Sequence, residues 1–277
     1  MEPANQRQRD NRFPEASCGK PPRPVDLHIG LWPECNLRCS ACRENAPAEN
    51  AALKLSDLHR AIRQAHAMGI TRIVAYGAGE PLLHPRFREA ISLISASGLR
   101  IALCTNGTLL TETLAAFLYH HAITIIVRRD SAIASVQDEL AGMPGASALM
   151  ERGRHALFKA GYPDPEHGLG IRIAACRANQ DEMPDLWRWA RNHGITPYLD
   201  CPHLTTHRSR TRISGALSPA EMHALAQTLH SMRPDAKEPL YWPPLPAVRF
   251  LAHQDTTLDA SFGGGAPENR LTCDTPS

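Results

Sequence analysis

Short apolar runs rich in β-branched residues alternate with longer amphipathic stretches between residues 25 and 200 of this chain. The short runs have the length and composition of strands, and the stretches between them repeat apolar residues at helical spacing. The predicted strands are 25–31, 72–76, 100–104, 123–128, 169–176 and 195–200. The first predicted helix begins at the N-cap Ser56 and ends at Gly69, and the others are 86–97, 111–120, 146–160 and 182–193. Strands that alternate with helices in this way predict a parallel sheet with right-handed crossovers.

This α/β pattern fits either an open doubly wound sheet or a full or partial TIM-like barrel. Both architectures bind their ligands at the carboxyl ends of the strands. The unusual residues of this chain follow those ends. Cysteines occur at 35, 39 and 42 after the first strand, Gly-Ala-Gly-Glu-Pro at 77–81 after the second, and Thr-Asn-Gly at 105–107 after the third. We therefore expect a single site to collect all three loops.

The two ends of the chain differ from this alternating region. Residues 1–24 are rich in Pro, Arg, Asn and Gln, which predicts a flexible leader. The fold is expected to occupy residues 25–205. Beyond it, residues 206–277 predict one helix at 218–232, then a Pro-rich stretch and a Gly-rich end, with no internal repeat and no evident second domain.

The composition is that of a globular protein, since 43% of the 277 residues are hydrophobic and 21% are charged. The net charge of +2 comes from scattered Lys and Arg, so nucleic acid is not expected as a partner. No apolar run approaches the roughly 20 residues of a membrane span, and residues 1–20 lack a signal-peptide core. We therefore expect a cytoplasmic protein, in which the eight cysteines are core thiols or metal ligands rather than disulfides.

The three clustered cysteines, Cys35, Cys39 and Cys42, are the most informative feature of the sequence. Thiolates at Cys-x3-Cys-x2-Cys in one loop can bind three corners of an iron-sulfur cube and leave the fourth iron open to a chelating ligand. A structural zinc site, completed by Cys104 or a histidine, is the alternative. Zinc sites usually pair two Cys-x2-Cys knuckles, and the sequence has no second knuckle. Three unrelated core thiols do not suit a loop that is this polar.

The segment Trp-Pro-Glu-Cys-Asn-Leu-Arg-Cys-Ser-Ala-Cys-Arg at 32–43 resembles the signature of the radical S-adenosylmethionine (SAM) superfamily. Tyr-Gly-Ala-Gly-Glu-Pro-Leu-Leu at 76–83 is similar to that family's Gly-Gly-Glu-Pro loop, and Thr-Asn-Gly-Thr-Leu-Leu at 105–110 to its loop after the third strand. The resemblance spans residues 25–205. It implies a partial (β/α)6 TIM-like barrel with a short irregular C-terminal extension.

Carried over to this chain, the family pattern implies that Cys35, Cys39 and Cys42 bind a 4Fe-4S cluster. The amino and carboxylate groups of S-adenosylmethionine would then chelate the fourth iron. The position before Cys42, which is often aromatic in the family, is Ala41 here. We therefore expect adenine to be held near Ala41 by backbone and apolar contacts.

The resemblance also assigns cofactor contacts to the loops after the second and third strands. Ala78 and Gly79 belong to the first of these loops, and Gly79 lets the backbone come close to the ligand. Glu80 would offer an anion to the methionine ammonium, the alternative being a carboxylate at a helix N-terminus. Asn106 is implied near the ribose, although an ordinary Asn-Gly turn would also explain it.

Two arginines at strand ends complete the predicted cofactor contacts. Arg128 ends the fourth strand, where family members place a polar residue against the ribose or the carboxylate of the cofactor. A guanidinium suits a carboxylate, and a surface salt bridge is the alternative explanation. Arg177, after the fifth strand, is a similar candidate. Tyr198 and Asp200 close the sixth strand and could face the substrate, although a core Tyr and a loop Asp explain them equally.

The resemblance implies reductive cleavage of S-adenosylmethionine to a 5'-deoxyadenosyl radical, which abstracts hydrogen from a substrate. It also implies an electron donor such as a flavodoxin or a ferredoxin. A peptide or a cofactor precursor is the first expectation for the substrate, and a small metabolite such as a sugar or a nucleotide is the second. A non-catalytic barrel that binds zinc or a partner is the remaining alternative.

Relatives with this kind of barrel often continue into a Cys-rich, SPASM-type C-terminal domain that holds auxiliary clusters. In this chain only Cys201 and Cys273 follow the sixth predicted strand. A second cluster ligated entirely by protein is therefore not expected. The region 206–277 is predicted to be a short or degenerate form of such a domain.

Overall fold

The structure is a computed structural model that describes residues 26–40, 42, 52–76, 79–200, 215–232 and 247–250. The predicted leader, Ala41, Ala78 and most of the predicted C-terminal extension lie outside these residues. No helix in the described ranges combines the length and the apolar character that crossing a membrane requires.

The described strands form one parallel sheet in the order β6-β5-β4-β3-β2-β1-β7. They are β1 Asp26–Ile29, β2 Arg72–Ala75, β3 Arg100–Thr105, β4 Thr124–Arg128, β5 Leu169–Ala174, β6 Thr196–Asp200 and β7 Ala247–Phe250. From β1 to β6 the strands lie side by side in chain order, as successive right-handed crossovers require. The predicted six-unit α/β partial barrel is confirmed.

Helices connect these strands. They are α1 Leu55–Ala67, α2 Phe87–Ala96, α3 Glu112–His120, α4 Ala134–Ala141, α5 Ala146–Ala160, α6 Met183–Asn192 and α7 Pro219–Ser231, with short 3-10 turns at Pro81–Leu83 and Gln180–Glu182. The predicted N-cap Ser56 is wrong, because α1 begins at Leu55 and Lys54, two residues before Ser56, occupies the cap. The helix predicted at 218–232 corresponds to α7, which Ser218 caps in a capping box with Glu221.

Two elements are absent from the sequence prediction. The helix α4 has eight residues and buries only Gln137, Leu140 and Ala141, so its apolar periodicity is too brief to recognise. The strand β7 pairs with β1 in parallel and extends the sheet to seven strands. It has four residues and follows a Pro-rich stretch, so it lacks the length on which strand prediction depends.

The two faces of the sheet have different surroundings. One face packs against the helices through fully buried side chains such as Ile29, Ile73, Leu103 and Ile171. Successive strand residues point to opposite faces. The alternate positions therefore form the opposite face, called the inner face below. It carries a small apolar group, Val74, Ala102, Cys104, Ile126 and Tyr198, together with charged residues near the carboxyl ends of the strands.

Candidate active site

The Cys loop, residues 30–40 and 42, follows β1 and lies against the turn between α4 and α5. The Arg38 amide donates to the Ala141 carbonyl at the end of α4, with a nitrogen-oxygen distance of 3.1 Å. The next residue, Gly142, has φ +65°, and a Cβ built there would lie 2.2 Å from the Arg38 carbonyl oxygen. A glycine at this helix end therefore allows the backbone of the Cys loop to approach it.

The three predicted ligands lie together in this loop. Cys35 and Cys42 pack against the small apolar cluster that contains Cys39. The other buried members of that cluster are Leu37, Ala141, Ala146 and Met150. Burial raises the pKa of the Cys35 and Cys39 thiols. In the part of the chain that the structure describes, no three His, Cys, Asp or Glu side chains form a group that would hold one metal ion.

Two N–H groups point at the sulfur of Cys35. The Leu37 amide donates to this sulfur over 3.4 Å, and Nδ2 of Asn106 donates to it over 3.8 Å. Donors of this kind favour a thiolate, and hydrogen bonds to cluster sulfurs help to set the reduction potential. Asn106 therefore supports a cysteine directly. Its predicted contact with the ribose remains a prediction.

A network of amide and hydroxyl groups joins the Cys loop to the loop after β3. Asn106 Nδ2 also donates to Asn36 Oδ1, and Asn36 Nδ2 donates to Thr108 Oγ1, both at 2.8 Å. The Thr108 amide and hydroxyl both donate to Asn106 Oδ1. Asn36 and Thr108 belong to the two sequence motifs, but the sequence does not reveal that they contact each other.

Glu80 is buried and accepts hydrogen bonds from three groups. Its Oε1 accepts from the Leu82 amide at 3.1 Å and from the Thr105 hydroxyl at 2.7 Å, and its Oε2 accepts from the Asn106 amide at 2.8 Å. Burial raises its pKa, although these donors oppose that effect. The carboxylate thus caps the 3-10 turn Pro81–Leu83, which is the alternative considered from the sequence, and also ties β2 to β3.

Gly79 brings the loop after β2 against the Cys loop. Its φ is +153°, and a Cβ there would lie 2.3 Å from the Glu34 carbonyl oxygen and 2.7 Å from that of Trp32. The neighbouring Glu80 amide donates to the same Glu34 carbonyl at 2.8 Å. The close approach that Gly79 permits is therefore to the protein's own backbone, and its predicted approach to a cofactor stays a prediction.

Arg128 lies on the inner face, at the end of β4, and forms an ion pair with Asp130. Its Nε donates to Asp130 Oδ2 at 2.5 Å, and the side chains are 8% and 0% exposed. A surface salt bridge is thus the wrong explanation for Arg128. Burial alone would lower its pKa, but Asp130 and the nearby Cys39 raise it overall. Arg128 in turn opposes the rise in the pKa of Cys39, so its positive charge acts on the Cys loop.

Asp130 is a site residue that the sequence analysis does not identify. Its second oxygen accepts from the Ala174 amide at 2.8 Å, and its carbonyl accepts from Nδ2 of Asn179, also at 2.8 Å. Asn179 is fully buried and links Asp130 to the end of β5, since it donates to the Ala174 carbonyl as well. A polar Asp-Ser pair after a strand was the available signal, but it is also typical of an ordinary turn.

Arg177 forms an ion pair with a residue of α7. Its Nε and Nη2 donate to the two carboxylate oxygens of Glu221 on α7, both at 3.1 Å, and its side chain is 54% exposed. This pairing gives Arg177 a role in holding α7 on the barrel. These side-chain hydrogen bonds join Arg177 to Glu221, which is not a predicted site residue. Its predicted contact with the cofactor therefore stays a prediction.

Cys104, the thiol considered as a fourth zinc ligand, belongs to the apolar group of the inner face and not to the cluster around Cys39. Burial raises its pKa to about 12. A thiol with so high a pKa, packed among Val74, Ala102 and Ile126, is expected to be protonated at neutral pH.

The donor set of the Cys loop fits an iron-sulfur cluster. Thiolates are the usual ligands of such clusters, and here three thiols share one loop. The two N–H donors at Cys35 and the positive charge of Arg128 near Cys39 suit ligands that become anionic on metal binding. A cluster bound there would be able to supply an electron to a ligand on its open iron.

Comparison with known proteins identifies the fold and its relatives. Residues 29–127 match the model of the radical SAM superfamily. The chain is 28% identical over 206 residues to an AdoMet-dependent heme synthase of Methanosarcina barkeri, covering 73% of this chain and 57% of that protein. It is 32% identical over 219 residues to a GTP 3',8-cyclase of Parasynechococcus marenigrum, covering 71% and 62%.

The same fold occurs in Streptococcus suis SuiB, which has been crystallised bound to its precursor peptide SuiA. The TM-score is 0.63 with 17% sequence identity, and the match covers 76% of this chain and 46% of SuiB. The homologues include SPASM-domain enzymes, as the sequence implies. This chain spans about half to three fifths of the length of the curated relatives that it matches. The superfamily implies a 4Fe-4S cluster and S-adenosylmethionine as cofactors.

Proposed function

Because this chain belongs to the radical SAM superfamily, we propose that it cleaves S-adenosylmethionine reductively and uses the resulting 5'-deoxyadenosyl radical to abstract hydrogen from a substrate. The observation that carries this proposal is the position of the three cysteines. They share one loop at the carboxyl end of β1, and that loop is tied to the loop after β3 through Asn106 and Cys35. Parallel-sheet barrels place their reacting groups at this end.

In this proposal Cys35, Cys39 and Cys42 hold the cluster, and the surrounding residues fix the geometry of their loop. The contacts of Asn106 with Cys35 and Asn36 restrict the orientation of the loop. Preorganised ligands of this kind raise cofactor affinity, and removing residues that support ligands typically costs 10-fold to 100-fold in metal affinity or activity.

Arg128 would orient the carboxylate of S-adenosylmethionine. It is the buried cation whose charge already acts on Cys39, and its pairing with Asp130 fixes the side chain. A guanidinium has five N–H donors, and the bond to Asp130 uses only Nε, so the donors at its end can serve a second anion. The other proposed contacts with the cofactor are Ala41, Ala78, Gly79, Glu80, Asn106 and Arg177.

A peptide or a cofactor precursor remains the first proposal for the substrate, and a small metabolite the second. SuiB supports the first, because it shares the fold and has been solved with a precursor peptide, whereas the GTP 3',8-cyclases support the second. A reductive cleavage also needs an external electron donor, for which we propose a flavodoxin or a ferredoxin.

Anaerobic reconstitution with iron and sulfide, followed by dithionite and S-adenosylmethionine, tests the proposed reaction. We expect about four irons per chain, the number in one cubane cluster, and formation of 5'-deoxyadenosine measured by chromatography. Cys39→Ala should abolish both. Cys176→Ala is the matched control, because Cys176 is also buried but lies after β5 and outside the Cys loop.

A different result would favour the remaining alternative. One zinc per chain, with no iron-sulfur absorption and no 5'-deoxyadenosine, would contradict the proposed enzyme and indicate a barrel that only binds. Equal loss of iron in Cys39→Ala and Cys176→Ala would contradict the assignment of the cluster to the Cys loop.

A further inference from the structure

Two arginines stand opposite each other on the inner face. Arg128 of β4 and Arg172 of β5 are cross-strand partners in the parallel register. Like charges that face each other across neighbouring strands destabilise a sheet, and burial increases the cost of each charge. Asp130 supplies the counter-charge for Arg128. The presence of Arg172 beside it needs a separate explanation.

The carboxylate that pairs with Arg172 lies farther from its guanidinium than the carboxylate that pairs with Arg128. Its Nε lies 3.4 Å from Asp200 Oδ2, whereas Arg128 Nε lies 2.5 Å from Asp130 Oδ2. Among the described residues, Asp200 is the one carboxylate that lies within 4.0 Å of a guanidinium nitrogen of Arg172. The Arg172 side chain is 19% exposed, so a molecule on the inner face could reach the rest of its guanidinium.

The guanidinium of Arg172 lies over an aromatic ring. The central carbon of the Arg172 guanidinium lies 5.1 Å from the centre of the Tyr76 ring. A stacked guanidinium is restricted in rotation, and its N–H groups point outward in its own plane. Such a preorganised fork matches the two oxygens of a carboxylate.

Arg172 also belongs to the same region as the predicted cofactor site. Its positive charge acts on Glu80, which lies next to the Cys loop, and on Cys104 of the inner face. The cation is therefore placed where a substrate in the barrel would lie, beside the loops that carry the predicted cluster ligands.

We propose that Arg172, stacked on Tyr76, binds a carboxylate of the substrate, while Asp200 accepts a hydrogen bond from a neighbouring N–H or O–H group of the same molecule. This inference rests on the proposed function, because it takes the inner face to be the substrate chamber. A carboxylate is favoured over phosphate as the group held at Arg172, because Asp200 and Glu80 add negative charge nearby, which repels a group that carries two charges more than a group that carries one.

The inference is tested by calorimetric titration of the reconstituted protein with S-adenosylmethionine present. The probes are glutarate, its uncharged analogue glutaramide, and inorganic phosphate. We expect glutarate to bind, glutaramide not to bind, and phosphate to bind more weakly than glutarate. Arg172→Gln should weaken glutarate binding at least about tenfold, since it removes one partner of a charge pair.

Two further variants keep this test informative. Arg172→Lys retains the charge without the fork, so it should also weaken glutarate binding, by less than Arg172→Gln, and it tests the inference if the Gln variant does not fold. Arg188→Gln is the control, because Arg188 is 60% exposed on α6 and pairs with Asp185. Its affinity for glutarate should equal that of the wild type.

The inference is overturned if the wild type does not bind glutarate, if glutaramide binds equally well, or if both Arg172 variants retain full affinity. Tighter binding of phosphate than of glutarate would overturn the choice of a carboxylate. Iron content and 5'-deoxyadenosine, measured on the same preparation, report on the proposed function separately. Failure of the anion site is thereby distinguished from failure of the radical chemistry.

Discussion

The side-chain amide of Asn106 donates to the Cys35 sulfur over 3.8 Å, although the two residues are 71 positions apart in the chain. The contact joins the loop after β3 to the loop after β1, and β2 lies between these strands in the sheet. The same amide nitrogen donates to Asn36. A single side chain thus positions a predicted cluster ligand and the residue that follows it.

We expect Asn106→Ala to lower 5'-deoxyadenosine formation about 10-fold to 100-fold, the usual cost of losing a residue that supports a metal ligand. The reduction potential of the cluster should become more negative, because an N–H donor to sulfur stabilises the reduced state. An anaerobic redox titration measures this shift. Asn192→Ala, at the exposed end of α6, is the control and should leave both quantities unchanged. An unchanged potential in Asn106→Ala would argue against this role.

Two glycines in the α4–α5 turn form a matched pair. Gly142 and Gly145 have φ +65° and +80°, but a new Cβ meets the Arg38 carbonyl only at Gly142 and nothing within 4 Å at Gly145. Both alanine variants should lose about 1–2 kcal/mol from the left-handed backbone. Gly142→Ala should lose about 1–3 kcal/mol more through overlap with the Cys loop, and should bind less iron. Urea unfolding and iron analysis measure these effects, and equal behaviour of the two variants would contradict the proposed packing.

Asp130→Asn should destabilise the fold by about 3–5 kcal/mol, because it leaves the buried guanidinium of Arg128 without its counter-charge. Asp185→Asn provides the comparison, since Asp185 is 79% exposed in its pair with Arg188. That variant should change the free energy of unfolding by no more than about 0.5 kcal/mol. The prediction fails if denaturant unfolding gives similar values for the two variants.

The attachment of α7 should depend on pH. Hydrogen bonds from Arg177 and Ser218 lower the pKa of Glu221 to about 2. Since the folded pKa lies below the ordinary value, the stabilisation is present above that ordinary value and is lost as pH falls towards about 2. The difference in unfolding free energy between the wild type and Glu221→Gln should therefore be largest near neutral pH and shrink below about pH 5. About 0.5 M salt should reduce it, because the pair is exposed. A difference that does not vary with pH would count against this pairing.

Much of the fold is predictable because each element carries its own local signal. The six strands from β1 to β6 follow from short runs of apolar residues, and α7 lies within the helix predicted at 218–232. The elements that the sequence does not predict, α4 and β7, are eight and four residues long. Segments of that length contain too few turns or alternations to show a period, so tertiary contacts decide them.

For the site, the sequence by itself determined the three loops, the spacing of Cys35, Cys39 and Cys42 and the resemblance to the radical SAM superfamily, because short motifs preserve chemistry locally. Only the tertiary structure decided the partners. Asn106 contacts Cys35, Glu80 accepts from Thr105, and Arg172 stands beside Arg128 because crossovers bring residues from distant parts of the chain into register. Register is a property of the assembled sheet, so no local pattern of residues encodes it.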